Sequence, residues 1–192
     1  MIYPIVAYGN PVLRKVAAPV SKDFPELGKL IEDMWETMYA SNGVGLAAPQ
    51  IDKSIRLFVI DTAQMFANME DDEMANYPDN PGEKLVFINA QIQSLNGDAW
   101  LYNEGCLSLP KIREDISREK SVTMEFMNEN FETQTKTFTG LTARVILHEY
   151  DHIEGKLFID HISAFKRKLM RGKLNDISKG KIDVDYKMSF PG

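Results

Sequence analysis

His148, Glu149 and His152 stand in the segment His-Glu-Tyr-Asp-His, a spacing with chemical meaning if the segment is helical. Residues four apart lie one above the other on a helix, so both imidazoles point the same way and can grip one ion. Glu149 lies about 100° around the axis from His148, which sets its carboxylate beside the open position of a bound metal rather than on it. That is the place of a base. A structural metal site would have no need of this glutamate and would favour a fourth protein ligand, whereas a catalytic site takes three and leaves one position for water.

The third ligand has few candidates, because the chain holds three histidines and a single cysteine. A histidine six residues beyond His152 is ruled out by Phe158, and a downstream glutamate by the absence of any after Glu154. His161, Asp151 and the later aspartates stay open, Asp151 being better placed to orient an imidazole from outside the ligand set. Cys106 is the stronger candidate. A lone cysteine is by itself most often a small buried hydrophobe. Here its thiolate suits a borderline metal, Gly105 lets backbone and metal approach closely, and Pro110 is read as the end of the strand.

These residues need elements to hold them. Apolar residues at helical spacing (Leu27, Leu30, Ile31, Met34, Met38) predict an amphipathic helix from Asp23 to Asn42, with Asp23 and Glu26 as a capping box and Asn42-Gly43 as the stop. The segment Gly43 to Gln50 is too rich in glycine and proline for a helix interior or a central strand. Strands are expected at 55–60, 84–88 and 90–102, followed by a hairpin of 121–127 and 131–138 turning at Asn128-Glu129-Asn130. Helices are expected at 142–154, carrying the histidines, and at 163–174. No βαβ alternation occurs, so the expectation is an α+β fold. Antiparallel β-sheets pack around a central metal-binding helix, with an N-terminal amphipathic helix and a C-terminal helix.

With 192 residues, 44% apolar and 26% charged, the chain can bury a core as one domain spanning 1–192, and disorder over its whole length is excluded. A single cysteine allows no internal disulfide, and no apolar run reaches the roughly 18 to 20 residues of a membrane span. The start, broken by Pro4, Gly9 and Pro11, is no signal peptide. Together these point to a cytoplasmic protein with no membrane partner. The net charge of −6 is uneven. An acidic surface loop is expected at about 64–83, and a basic helix and tail at about 163–192. Between residues 166 and 181 the latter carries Lys166, Arg167, Lys168, Arg171, Lys173, Lys179 and Lys181, with only Asp176 as an acid among them. A solvated face is the plain reading, and an acidic partner such as ribosomal RNA the sharper one.

Three segments in order, Gly43 to Gln50, Glu104-Gly105-Cys106-Leu107-Ser108 and His148 to His152, resemble the three motifs of the peptide deformylase family, and the resemblance covers most of the chain. It implies Cys106, His148 and His152 as metal ligands and Glu149 as general base and acid. It also implies that the Gln50 side chain and the Leu107 backbone N–H stabilise the oxyanion formed when metal-bound water attacks a formyl carbon. The substrate would be the formyl-methionyl end of a new polypeptide, added as a strand beside the glycine-rich loop, and formate would be released. Val44, Gly45 and Leu46 would make loop contacts, Leu141 and Val145 would line a methionine pocket, and Tyr102, Glu104 and Gly105 would be neighbours. Arg144 and Leu147 depart from the residues many members carry, which concerns the pocket's mouth. Arg113 would fix substrate backbone or pair with an acid.

The ligand set suits Fe2+, Zn2+, Ni2+ or Co2+, and the resemblance favours ferrous iron in the cell; the chain is expected to be a monomer. Two rival readings use the same helix: a zinc endopeptidase or aminopeptidase, and a metal-stabilised ribosome-binding module without catalysis.

Overall fold

The computed structural model describes residues 1–70, 74, 77 and 82–192. Strand β1 (Ile5–Val6) and a 3-10 turn at Pro11–Arg14 lead to helix α1 (Leu27–Ala40). Then come strand β2 (Gly45–Ala47), a 3-10 turn at Ala48–Ile51, β3 (Leu57–Asp61) and the short α2 (Thr62–Ala67). The long strands β4 (Lys84–Cys106) and β5 (Leu109–Met127) and the shorter β6 (Thr133–Thr139) precede α3 (Gly140–Ile153). The chain closes with α4 (Ala164–Leu169), α5 (Arg171–Ser178) and β7 (Met188–Ser189).

Strands β2 to β6 form one antiparallel sheet in sequence order. Strand β3 is buried along all five residues, and its alternation explains why: successive side chains face opposite sides of a sheet. Phe58 and Ile60 pack with Phe87, Phe126 and Phe138 against Ala143, Ile146 and Leu147 of α3. Leu57 and Val59 pack on the other side with Leu30, Ile31, Met34 and Met38 of α1. The expected α+β arrangement is present, with α3 at its centre and 11 of its 14 residues buried. A third apolar cluster joins Ile112 and Ile116 of β5 to Phe158, Leu174 and Ile177.

Several elements differ from the sequence expectation. Helix α1 starts at Leu27, and Glu26 precedes it in a left-handed conformation with no side-chain cap. Pro25 disfavours helical backbone at Phe24, so no capping box forms at Asp23. The single expected C-terminal helix is two, meeting at Met170. The strand expected at 90–102 is one 23-residue strand with register shifts that begins at Lys84. Pro110 does not end a strand; it is the second residue of β5, where three residues lie between the register pairs Cys106↔Leu109 and Gly105↔Arg113. Part of the expected acidic loop is helix α2, capped by Asp61, whose Oδ1 accepts from Gln64 N at 3.2 Å. The rest of that loop, apart from residues 68–70, 74, 77, 82 and 83, lies outside the described residues. The parallel pairing of β1 with β7 was not anticipated.

Phe87 is fully buried, its ring centroid 4.5 Å from Phe58 and 4.3 Å from Phe126. Phe87→Ala should therefore cost about 3–5 kcal/mol in urea unfolding, and a loss below roughly 1 kcal/mol would contradict this account of the core.

Candidate active site

Helix α3 carries His148 and His152 one turn apart, their ring centroids 5.2 Å from each other. Cys106 reaches them from the end of β4. The strand pairing is interrupted beside it, and irregularities of this kind re-aim a side chain. Cys106 Sγ lies 3.3 Å from His152 Nε2, and one ligand atom from each of Cys106, His148 and His152 falls within 4.8 Å of the others. His161 is not part of this group: its Nε2 sits 2.7 Å from Asp151 Oδ2. Asp151 thus orients an imidazole, but not one of this group.

The donor set fits a divalent metal. His148 turns Nδ1 to Glu104 Oε2 at 2.9 Å, so Nδ1 carries the hydrogen and Nε2 is left with its lone pair for an ion. Burial pushes the Cys106 thiol up, but His152 and then His148 outweigh it and bring the pKa to about 5, leaving a thiolate at neutral pH. Burial pushes the His148 pKa down, yet the hydrogen bonds to Cys106 and Glu104 leave it well above the ordinary imidazole value. The local field therefore calls for positive charge between these groups. A cation held by neutral imidazoles and a thiolate answers it.

Glu104 is the pivot of the site and is 4% exposed. Its Oε1 accepts from Arg118 Nε at 2.7 Å and from Arg144 Nη1 at 2.9 Å, while Oε2 accepts from Arg118 Nη2 at 3.1 Å and from His148. Burial alone would raise this carboxyl, but His148 and Arg118 hold it well below the usual carboxylate range. Arg118 also donates to Asp151 Oδ2 at 2.8 Å. Arg144 donates onward to the Ile116 carbonyl at 3.0 Å and the Trp100 carbonyl at 2.7 Å. Both Glu104 and Arg144 touch the cavity, but as members of this buried network rather than as free contacts at a pocket mouth.

Glu149 is 4% exposed, and its Oε2 has no hydrogen-bond partner among the described residues. Burial raises its pKa to about 7 against the lowering by the two imidazoles. Gly45 faces it so closely that a Cβ there would lie 2.5 Å from Glu149 Oε1. The glycine is required by this close approach. Gln50 lies in the 3-10 turn after β2, its Oε1 accepting from Ala47 N at 2.9 Å. That leaves Nε2 to point at Ser108 Oγ (3.4 Å) and Cys106 Sγ (3.6 Å).

These groups open on a cavity of about 800 Å³. Gly43, Val44, Gly45, Tyr102, Gly105, Leu107, Leu141 and Val145 line it. Leu46 does not; its side chain packs in the core against α1. Arg113 lines the cavity too, donating from Nε to Asn103 Oδ1 at 2.8 Å rather than to an acid. Sequence reasoning missed Arg118, Ser108 and the wall formed by Asp183, Val184, Asp185 and Tyr186.

Arg118 bridges two buried carboxylates, so Arg118→Met should destabilise the protein by roughly 3–5 kcal/mol at neutral pH. The carboxyls of Glu104 and Asp151 are both depressed in the fold. Their contribution is present above the unfolded values and is lost as pH falls through the folded ones. The gap between Arg118→Met and wild type should therefore narrow below about pH 4 in unfolding experiments. A gap independent of pH would contradict the charge network.

Comparison with known proteins agrees with this geometry. The family model described as polypeptide deformylase matches residues 2–168. The peptide deformylase of Christiangramia forsetii is 52% identical over 191 residues, covering 100% of this chain and 97% of its own. That of Flavobacterium johnsoniae is 51% identical over 190 residues, covering 99% and 96%. Among solved structures, a peptide deformylase from Legionella pneumophila superposes with TM-score 0.77 at 35% identity, over 94% of this chain and 98% of that one. A Met-Ala-Ser-bound peptide deformylase from Acinetobacter baumannii gives 0.73 at 32% identity, over 84% and 99%. The chain belongs to the polypeptide deformylase family.

Proposed function

We propose that the residues around this metal site act together to remove the N-formyl group from the formyl-methionine that starts new polypeptides. The chain is a peptide deformylase hydrolase, and formate and a free amino terminus are its products. The observation that carries the assignment of roles is the position of Glu149: a buried carboxylate with an unpartnered oxygen, beside the Cys106, His148 and His152 set but outside it.

A divalent ion held by Cys106, His148 and His152 would supply the Lewis acidity that makes water nucleophilic at neutral pH and polarises the formyl carbonyl. Glu149 takes a proton from the attacking water and gives it to the departing amine. The Gln50 amide and the Leu107 N–H receive the negative charge that develops on the formyl oxygen. Strand β2 is the outermost strand of its sheet, so its outer edge at Gly45 can accept the substrate backbone as one more strand. Leu141 and Val145, on the same face of α3 as the histidines and lining the cavity, would hold the methionine side chain. The Met-Ala-Ser bound to the Acinetobacter baumannii relative supports a peptide of this kind as the occupant.

Two imidazoles and a thiolate accept ferrous iron, with zinc, nickel or cobalt as substitutes, and ferrous iron is the metal we propose in the cell. The whole chain would act as one catalytic domain and as a monomer in the cytoplasm; no helix of the described residues is long and apolar enough to cross a membrane. The basic segment from residue 163 would favour contact with the ribosome. Two of its cations are already engaged, Lys166 with Glu114 at 2.5 Å and Arg167 with Asp160 at 3.5 Å. Phe165 and Leu169 beside them are each 71% exposed.

Glu149→Gln should keep its metal and lose roughly 100- to 10,000-fold in kcat for formate release from formyl-Met-Ala-Ser. A variant within tenfold of wild type would overturn the role of Glu149. Because the base must be ionised, kcat/KM should rise with pH through the Glu149 ionisation, which lies at about 7 without the metal and lower with a cation beside it. That acid limb should vanish in Glu149→Gln.

A further inference from the structure

The carbonyls of the two-residue turn that joins β4 to β5, at Leu107 and Ser108, are captured by opposite ends of the chain. Tyr8 N donates to the Ser108 carbonyl at 2.8 Å. Tyr186 Oη donates to the Leu107 carbonyl at 2.8 Å. The two termini are themselves tied together. Ile5 N donates to the Lys187 carbonyl and Ala7 N to the Ser189 carbonyl, both at 2.8 Å, in the parallel pairing of β1 with β7. Residues 5–8, strand β1 and the turn that follows it, thus hold both the C-terminal tail and the β4–β5 turn. The Tyr186 ring shares an apolar cluster with Leu107, and burial raises its pKa, so the hydroxyl stays a donor.

The family match ends at residue 168, and neither the metal set nor Glu149 requires this tail. Yet residues 183–186 line the substrate cavity. The turn they hold carries the Leu107 N–H, and a donor to a developing oxyanion works only within about 2.7–3.1 Å of it. A displacement of about 1 Å costs on the order of 100-fold in rate. Strand pairing at Cys106 and Leu109 fixes the two sides of the turn. The Leu107 N–H belongs to the Cys106–Leu107 peptide plane; the plane that follows it, carrying the Leu107 carbonyl, is held from outside the sheet by Tyr186, and the two planes meet at the Leu107 Cα.

We propose that Tyr186 is a positioning residue for deformylation, its hydroxyl locking the β4–β5 turn so that the Leu107 N–H meets the oxyanion. The proposal rests on the assignment of Leu107 as an oxyanion donor. It predicts an effect confined to the chemical step. The methionine pocket and the edge for the substrate strand come from α3 and β2, and removing the Tyr186 hydroxyl leaves the ring that lines the cavity in place, so ground-state binding should change little.

The test is Tyr186→Phe, which keeps the ring and removes only the donor. It is assayed on formyl-Met-Ala-Ser beside Lys187→Ala, an exposed neighbour on the same tail. The amide resonance of Leu107 is followed by 1H–15N NMR in the zinc-loaded proteins. The expected result is a fall in kcat of roughly 5- to 20-fold, with KM within about twofold, metal content unchanged, a shifted Leu107 amide and a wild-type Lys187→Ala. A wild-type kcat with an unmoved amide would overturn the clamp. A wild-type kcat with a shifted amide would overturn Leu107 as donor while leaving the clamp standing. A fall in kcat with an unmoved amide, or one that tracks metal loss, would overturn the positioning role.

Discussion

Burying the Glu104 carboxylate beside a metal-binding imidazole is the constraint around which the rest of this structure is arranged. An isolated carboxylate at that depth would take up a proton, and a protonated Glu104 would be a weaker acceptor for the hydrogen of His148. Two guanidiniums prevent it. Arg118 meets Glu104 through two nitrogens, and Arg144 meets it from one turn before His148 on the same helix. Those cations need partners of their own, which are Asp151 for Arg118 and the carbonyls of Trp100 and Ile116 for Arg144. The long β4–β5 hairpin supplies Glu104, Arg118 and these carbonyls, and helix α3 supplies the rest. Closing this network docks the helix on the hairpin in one register. A buried ionic network is weak evidence for net stability, since a packed apolar core would serve as well. Its value here is geometric, because it fixes which way His148 faces.

Once that docking is set, the other groups follow from close approach. Cys106 lies two residues beyond Glu104, where the hairpin loses its regular register, so its thiol turns toward the helix. Gly45 lets strand β2 come against Glu149, and Gln64 Nε2 holds the loop before it through the Gly43 carbonyl at 3.0 Å. Glu149 is left as the acid without a guanidinium. Burial raises its pKa to about 7, whereas Glu104, at the same depth, is held as an anion. Two glutamates with opposite environments thus take opposite roles, one a fixed anion and one a group that can exchange a proton near neutral pH.

The metal helix was legible in the sequence because helical period alone brings His148 and His152 together and sets Glu149 aside. Cys106 stood out among few candidate ligands, with His161, Asp151 and the later aspartates still open, and the family resemblance singled it out. The alternating apolar residues of β3 and the stripe of α1 were legible for the same reason, since periodicity is local. Arg118 was not. It sits among Arg113, Glu114, Asp115, Glu119 and Lys120, a stretch that reads as a solvated surface, and its burial depends on pairing with β4. Arg144 could be seen to depart from its family's usual residue, but not that Glu104, 40 positions earlier, compensates it. Tyr186 lies 79 residues from the turn it holds, in a tail with no marked periodicity. The start of α1 was misplaced because Asp23 and Glu26 have the spacing of a capping box, while Pro25 between them prevents the backbone from forming one.

The chemistry depends most on Cys106, His148 and His152 acting as one ligand set in the folded protein. X-ray absorption at the zinc edge of the protein loaded with one equivalent of zinc measures this directly. One sulfur at about 2.3 Å and two imidazole nitrogens at about 2.0–2.1 Å are predicted. A shell of nitrogen and oxygen alone, without sulfur, would contradict it.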